Sequence, residues 1–133
     1  MQVINEFPPF YEAIKEAVNP PEDSFFPYGD KLYNPSGIEI PADIWHHEEV
    51  HVQQQSEFTS PSIWWENWIN NKEFRLSQEV QAFAHQLAFV KKFYSRKAAD
   101  EALDEFSNQL ADNYNLDINR HQSSTLIRRF PLF

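Results

Sequence analysis

The sequence predicts an α+β protein that is mostly helical, with a short two- or three-stranded sheet packed on the helices. Apolar residues recur with helical spacing in several segments between residues 10 and 129. An aromatic-rich stretch between residues 25 and 40 contains turn residues and reads instead as short strands. Because so few strands cannot form a stable sheet alone, they must lie against the helices.

The first elements are punctuated by proline, glycine and asparagine. Phe10 to Val18 carries apolar residues one turn apart between two proline pairs, which predicts a short helix. Phe25 to Tyr33 predicts two strands around a turn at Gly29-Asp30. A strong turn at residues 34–37 then precedes Ile38 to Ile40, which is the candidate third strand.

The rest of the chain predicts helices. Pro41 fits a first helical turn with Asp43 behind it, and no further proline or glycine occurs before Pro61. Ser60-Pro61 predicts the start of a helix that carries three tryptophans. The clearest periodicity lies between Arg75 and Tyr94, at Leu76, Val80, Phe83, Leu87 and Val90. Two more helices are predicted at Ala98 to Ala111 and around Ser123 to Arg129, with a loop at Asn113-Tyr114-Asn115.

Length and composition predict one ordered domain over residues 1–133. The chain is long enough for a hydrophobic core, with little length left for a second module. Aromatic residues make up 16% and there are 2 glycines, which favours an ordered protein. The absence of cysteine excludes disulfides, thiolate zinc sites and cysteine nucleophiles, so any metal ligands must be histidines and carboxylates.

The charge balance narrows the choice of partners. There are 20 acidic and 11 basic side chains, giving a net charge of -9, and no Lys/Arg cluster is longer than two residues. We therefore expect no nucleic-acid partner. Residues 1–6 lack the features of a secretory signal, and no segment has the length of a membrane span, so we expect a cytoplasmic protein without a membrane partner. The sequence leaves the oligomeric state open.

The most informative pattern is His47-Glu48-Glu49-Val50-His51, which reads H-E-x-x-H. One turn of helix places His47 and His51 on the same side, where both imidazoles can bind a single Zn²⁺. Glu48 then stands beside the open position of the metal, as the general base of a zinc hydrolase does. Ordinary polar residues on a solvated face would have little need for this combination.

A catalytic zinc site normally has three protein ligands, so a third one is required. Gln54 and Glu57 occupy the glycine and final histidine positions of the all-histidine pattern, which leaves a downstream glutamate. The candidates are Glu66, Glu73 and Glu79. We favour Glu79, because it flanks the apolar stripe of the long helix and has the small Ala82 nearby. Arg75, one turn before Glu79, is expected to orient its carboxylate.

Together these segments resemble the small single-domain zincin-like metallopeptidases, often phage-encoded, whose third ligand is glutamate. The resemblance covers roughly residues 25 to 90 and rests on Tyr28 to Pro35, Ile38 to Ile40, the H-E-x-x-H segment with Val52-Gln53-Gln54, and Arg75-x-x-x-Glu79-x-x-Ala82. It implies a short sheet on two zinc-bearing helices, with the last strand beside the cleft. It also implies zinc ligands His47, His51 and Glu79, a general base Glu48, a peptide or protein substrate and, for a phage protein, the host cytoplasm. His51 and Glu79 lie farther apart in sequence than the corresponding residues of the large secreted members.

The chemistry expected of such a site is peptide hydrolysis. Zinc lowers the pKa of a bound water and polarises the substrate carbonyl, and Glu48 accepts the proton of that water and passes it to the leaving amine. A further side chain normally stabilises the oxyanion. The sequence leaves five candidates for this role: Tyr33, His85, Tyr94, Tyr114 and His121.

Two alternatives compete with this interpretation. A diiron carboxylate site would use Glu48-x-x-His51, but it needs a second Glu-x-x-His pair, and Ala82 stands three residues after Glu79. The second alternative is a non-catalytic, metal-stabilised interaction protein that binds a partner through its Trp64, Trp65 and Trp68 segment. Closely spaced tryptophans are more often part of a core.

Overall fold

A computed structural model of the chain describes residues 1–132. Within that range it contains three strands and six helices. In chain order these are β1 (Gln2–Ile4), α1 (Tyr11–Val18), β2 (Phe26–Tyr28), β3 (Lys31–Tyr33), α2 (Ala42–Gln55), α3 (Pro61–Asn70), α4 (Lys72–Phe93), α5 (Arg96–Asn113) and α6 (Arg120–Arg129). The expected α+β class with a small sheet is therefore confirmed. No helix in the described residues is both long and apolar enough to cross a membrane.

The sheet has the strand order β1-β3-β2, so β3 is its central strand. β2 and β3 form an antiparallel hairpin in which Pro27 lies opposite Leu32. Gly29 in the connecting turn has a φ of +60°, which glycine adopts without strain. β1 pairs with β3 in parallel, with Val3 opposite Leu32.

The third strand was predicted in the wrong place. Residues 38–40 are not in a strand, and β1 at the N-terminus supplies the third strand instead. Both edges of β3 are already occupied, by β1 and β2, so residues 38–40 have no free edge of that strand to join. The side chain of Asn34 donates to the carbonyl of Ile38 over 2.8 Å and helps to hold the turn that leads away from the sheet. Ile38 and Glu39 of this segment do line the cleft beside α2, as expected of the last predicted strand, but they lie outside the sheet.

Every predicted helix is present, and several begin earlier than predicted. The side chain of Asn71 caps α4 by accepting from the Phe74 N–H, and Ser95 caps α5 in the same way at Ala98. Asn119 forms a capping box with Gln122 at the start of α6. These polar caps satisfy N–H groups that lack a partner within the helix, which fixes the starts ahead of the first apolar residues.

The apolar residues form two clusters. One joins the stripe of α4 to α5 and α6 through Phe83, Phe106, Leu110 and Ile127. The other joins the sheet and α1 to the three buried tryptophans of α3. α2 packs against α4, β2 and α3. It carries the H-E-x-x-H segment into the interior.

Candidate metal centre

The inward face of α2 is polar, which is unusual for a buried helix face. His47, Glu48, His51, Gln54 and Gln55 are all buried. Burying polar side chains costs free energy unless each one finds a partner. The hydrogen-bond partners of these residues therefore indicate why polar side chains are buried on this face of α2.

Three of these side chains can hold a metal ion together. One ligand atom from each of His47, Glu48 and His51 lies within 4.8 Å of the others. Glu79 on α4 faces the same two imidazoles. Its Oε1 lies 3.3 Å from Nε2 of His47, and its Oε2 lies 3.0 Å from Nε2 of His51. The structure thus brings together the four residues predicted to form the site.

The tautomer of His47 is fixed by a chain of hydrogen bonds. The side-chain amide of Gln86 donates to Oδ2 of Asp43 over 2.8 Å, which turns its oxygen toward the imidazole. That oxygen lies 2.9 Å from Nδ1 of His47. Because an amide oxygen can only accept, Nδ1 must carry the hydrogen, and a neutral His47 presents the lone pair of Nε2 to the site.

His51 is held in the same way by Gln54. The amide nitrogen of Gln54 donates to the Gln78 carbonyl over 3.1 Å and to Oε1 of Gln81 over 2.9 Å. Its oxygen lies 2.8 Å from Nδ1 of His51. Both imidazoles are therefore oriented so that Nε2 is the atom directed at Glu79.

In these contacts the lone pair of each imidazole Nε2 faces a carboxylate oxygen of Glu79. Nε2 of a neutral imidazole and a carboxylate oxygen are both acceptors, and they repel at 3 Å unless a cation lies between them. Oε1 of Glu79 is buried without a hydrogen-bond partner, although Nε2 of His47 is 3.3 Å away. A proton or a metal ion must therefore occupy the space among His47, His51 and Glu79.

Without a metal ion, a proton fills this role at His51. Burial alone would lower the pKa of His51, but the adjacent Glu79 carboxylate outweighs burial and raises that pKa to about 9. Burial conversely favours protonation of Glu79, yet the charge on His51 and hydrogen bonding to both imidazoles hold its pKa well below the ordinary value. Metal binding at neutral pH must displace this proton.

Glu79 is oriented by a tryptophan rather than by Arg75. Nε1 of Trp68 donates to Oε2 of Glu79 over 2.9 Å. The prediction for Arg75 was wrong, because its guanidinium donates to the backbone carbonyls of Trp68, Ile69, Tyr114 and Asn115. Those carbonyls surround the guanidinium and use its donors, so Arg75 ties α3 and the end of α5 to α4.

Glu48 differs from Glu79 in forming no ion pair with either imidazole among the described residues. Its Oε2 is buried and has no hydrogen-bond partner among the described residues. Burial raises the pKa of Glu48, against the opposing effect of the two imidazoles. A buried carboxyl with a raised pKa and a free oxygen is suited to exchange protons with a bound molecule.

The site opens into a cleft of about 600 Å³. His47, Glu48, His51 and Glu79 line it together with Tyr114, which follows α5. Burial and the nearby charges of Glu79 and Glu48 raise the pKa of Tyr114 well above its usual range, so its hydroxyl stays protonated. Tyr114 can therefore act as a hydrogen-bond donor in the cleft.

The other sequence candidates lie elsewhere. Glu66 and Glu73, the alternative third ligands, are exposed and do not line the cleft. Of the remaining oxyanion candidates, Tyr33 is buried in the aromatic cluster and His85 stands near His46 on the opposite side of α2. Tyr94 and His121 are exposed.

Three residues that hold the site were missed in the sequence. Gln54 and Gln86 fix the imidazoles, and Trp68 fixes Glu79. The sequence did contain an indication that both glutamines face the site. Gln54 follows His51 by one turn of α2, and Gln86 follows Glu79 by two turns on the same face of α4. Trp68 lies on a different helix from Glu79, so helical periodicity could not pair them.

Comparison with models of protein families, with curated protein sequences and with solved structures finds no match for this chain.

Proposed function

We propose that the protein is a zinc-dependent metallopeptidase, with His47, His51 and Glu79 as metal ligands and Glu48 as general base. The observation that carries the proposal is the pair of oriented imidazoles facing the Glu79 carboxylate at 3.3 and 3.0 Å. Two ligand atoms of a tetrahedral zinc ion lie about 3.3 Å apart, given Zn–N and Zn–O bonds of about 2.0–2.2 Å. These donors match zinc in chemical type, and the two distances, which run to different oxygens of Glu79, are close to that separation.

The division of roles between Glu48 and Glu79 follows from their partners. Both oxygens of Glu79 face imidazole nitrogens, and Trp68 holds the carboxylate in place. Oε2 of Glu48 is unpartnered beside the same site, with a raised pKa. Glu79 lies within 3.3 Å of both imidazoles and is suited to ligate. Glu48 forms no ion pair with them in the described residues and is suited to take a proton from water and return it to a leaving amine.

A bound zinc ion would lower the pKa of its water and polarise the scissile carbonyl. The chain itself supplies the remaining groups. We assign to Tyr114 the donation of a hydrogen bond to the developing oxyanion, since it lines the cleft and stays protonated. Phe83 and Trp64 pack against the rings of His47 and His51, and this apolar surrounding strengthens electrostatic interactions within the site.

The Trp-rich segment offers little support for the alternative function as a partner-binding protein. Trp64, Trp65 and Trp68 are all buried, and their indole N–H groups donate to Gln78, Pro27 and Glu79. With at most 5% of each residue exposed, these tryptophans offer a partner little surface to contact. Their contacts are those of a core that also holds Glu79.

The test is peptide cleavage by zinc-loaded wild type and two matched variants. Glu48→Gln should retain zinc and fold but lose cleavage of a mixed peptide library, because an amide cannot accept the water proton. Glu49→Gln makes the same change at the next, exposed residue and should retain cleavage. Equal activity of Glu48→Gln and wild type, or no cleavage by wild type, would contradict the proposal.

A further inference from the structure

The rim of the cleft has an acidic lining. Asp23, Glu39, Asp43 and Glu105 line it, coming from the segment after α1, the segment before α2, α2 itself and α5. None of the lysine or arginine side chains in residues 1–132 contributes to this lining. The cleft therefore has a negative potential, which adds to the protein's net charge of -9.

These carboxylates lack cationic partners. Within residues 1–132, none of the four forms a salt bridge, whereas Asp112 and Asp117 elsewhere on the surface do. Asp23, Glu39 and Glu105 are exposed, and Asp43 accepts a hydrogen bond from Gln86. Carboxylates that remain unpaired around a concave surface attract cations from solution.

An independent feature indicates that a ligand enters this cleft. Glu48 is 7% exposed, lines the same cleft, and leaves its Oε2 without a partner. A buried carboxylate oxygen in this state lacks a hydrogen bond that a bound molecule can supply. The acidic side chains and this unsatisfied polar atom thus line the same cleft.

The adjacent sheet edge is not free to bind a peptide backbone. Pro27 in β2 has no N–H, and its carbonyl already accepts from Nε2 of Gln55 and Nε1 of Trp65. The N–H of Gly29 donates to Oε1 of Gln55 over 2.8 Å. Gln55 therefore occupies the outer edge of β2 where an added strand would pair. Recognition at this wall must rely on side chains.

The cleft wall offers apolar surface beside the carboxylates. Phe25 and Ile44 are half-buried in it, and Ile38 next to Glu39 is 42% exposed. Lysine and arginine carry an aliphatic stem that packs on such surface while the charged end reaches a carboxylate. Purely apolar side chains match the apolar surface but not the carboxylates, and acidic side chains are repelled by the carboxylates.

We propose that this cleft binds a cationic peptide, with a lysine or arginine side chain held between the rim carboxylates and the apolar wall. That the bound peptide is also cleaved rests on the proposed function above. The two ideas are separable, because binding can be measured on the zinc-loaded Glu48→Gln variant, in which hydrolysis is expected to be lost.

The probes are three peptides of equal length and apolar content that carry lysine and arginine, glutamine, or glutamate. We expect the cationic peptide to bind roughly tenfold more tightly than the glutamine peptide at low ionic strength, with most of this preference lost in high salt. Wild type should cleave the cationic peptide in preference to the other two.

Two triple variants with the same change in charge identify the source of the preference. Asp23→Asn, Glu39→Gln and Glu105→Gln together should abolish it. Glu73→Gln, Asp100→Asn and Glu101→Gln, all exposed and outside the cleft, should preserve it. Thermal melting and zinc content establish that both triple variants are folded and metal-loaded.

The binding and cleavage results together distinguish failure of the cationic-peptide inference from failure of the peptidase proposal. Binding of the cationic peptide that depends on salt and on the rim supports the inference even if no peptide is cleaved, in which case the peptidase proposal alone fails. Cleavage of all three peptides at equal rates would overturn the inference and leave the peptidase proposal intact. Absence of both binding and cleavage would overturn both.

Discussion

The indole nitrogen of Trp68 donates a hydrogen bond to Oε2 of Glu79, over 2.9 Å in the buried interior. This contact joins α3 to α4 and fixes the carboxylate that faces both imidazoles. Residues that orient metal ligands in this way typically contribute tenfold to a hundredfold to metal affinity. The tryptophan segment is therefore part of the proposed metal centre as well as part of the core.

Trp68→Phe should weaken zinc binding by about tenfold to a hundredfold, because the carboxylate loses the donor that orients it. Trp65→Phe is the matched control. Trp65 is equally buried, but its N–H donates to the Pro27 carbonyl, so its loss should leave zinc affinity nearly unchanged. Competition with a chromogenic chelator measures both affinities. Equal losses in the two variants would show that Trp68 acts only through packing.

Replacing Glu79 tests the identity of the third ligand. Glu79→Ala should lose stoichiometric zinc, because water cannot replace a carboxylate between two imidazoles with comparable affinity. Glu66→Ala and Glu73→Ala, which alter exposed side chains, should keep full zinc content. Metal analysis by mass spectrometry distinguishes them. Full zinc occupancy in Glu79→Ala would exclude it as a necessary ligand.

Tyr114→Phe should reduce kcat by about a hundredfold, the usual effect of removing an oxyanion donor, while leaving zinc content and KM little changed. The phenyl ring preserves the packing against Trp68 and Phe83. Tyr94→Phe removes a hydroxyl from an exposed side chain outside the cleft and should have no effect. Unchanged kcat in Tyr114→Phe would remove this residue from the mechanism.

The stability of the metal-free protein should depend on the protonation of His51. Its pKa in the folded protein is about 9, compared with an ordinary value of 6.5. Since the folded state holds this proton more tightly, the stabilisation is fully present below about pH 6.5 and is lost as the pH rises through about 9. The melting temperature of chelator-treated protein should fall by about 5 °C or more over this interval.

The His51→Gln variant, also metal-free, is the control for this pH dependence. It lacks the titrating imidazole and should not show the same fall in melting temperature. Zinc binding to wild type at neutral pH should release about one proton, which calorimetry in buffers of different ionisation enthalpy detects. A flat pH profile in the metal-free wild type would contradict the charged contact between His51 and Glu79.

Helical periodicity explains why much of the site could be predicted from sequence. His47 and His51 share a face of α2, and Glu79 sits at the flank of the apolar stripe on α4, so spacing alone placed all three inside the protein. The stripe itself packs mainly on α5 and α6, which leaves the flank of α4 for α2. The positions of the three proposed ligands therefore follow from two local patterns, the spacing of the two histidines on α2 and the apolar stripe of α4.

Contacts between distant segments could not be predicted in the same way. β1 is three residues long and pairs in parallel with a strand far along the chain, so neither length nor a turn identifies it. The sequence favoured Arg75 as the partner of Glu79 because the two residues are one helical turn apart. In the folded protein, Arg75 donates hydrogen bonds to backbone carbonyls, and Glu79 accepts a hydrogen bond from Trp68. Spacing within one helix indicates which side chains can be hydrogen-bond partners. The packing of the other helices determines which of these hydrogen bonds form.

The most direct test of the metal centre is anomalous diffraction at the zinc absorption edge from crystals of the zinc-loaded protein. We expect one peak within about 2.0–2.2 Å of Nε2 of His47, Nε2 of His51 and a carboxylate oxygen of Glu79. Glu48 should lie beside the metal without coordinating it. A peak coordinated by Glu48 with Glu79 more than about 4 Å away, or no peak among these residues, would contradict the proposed metal centre.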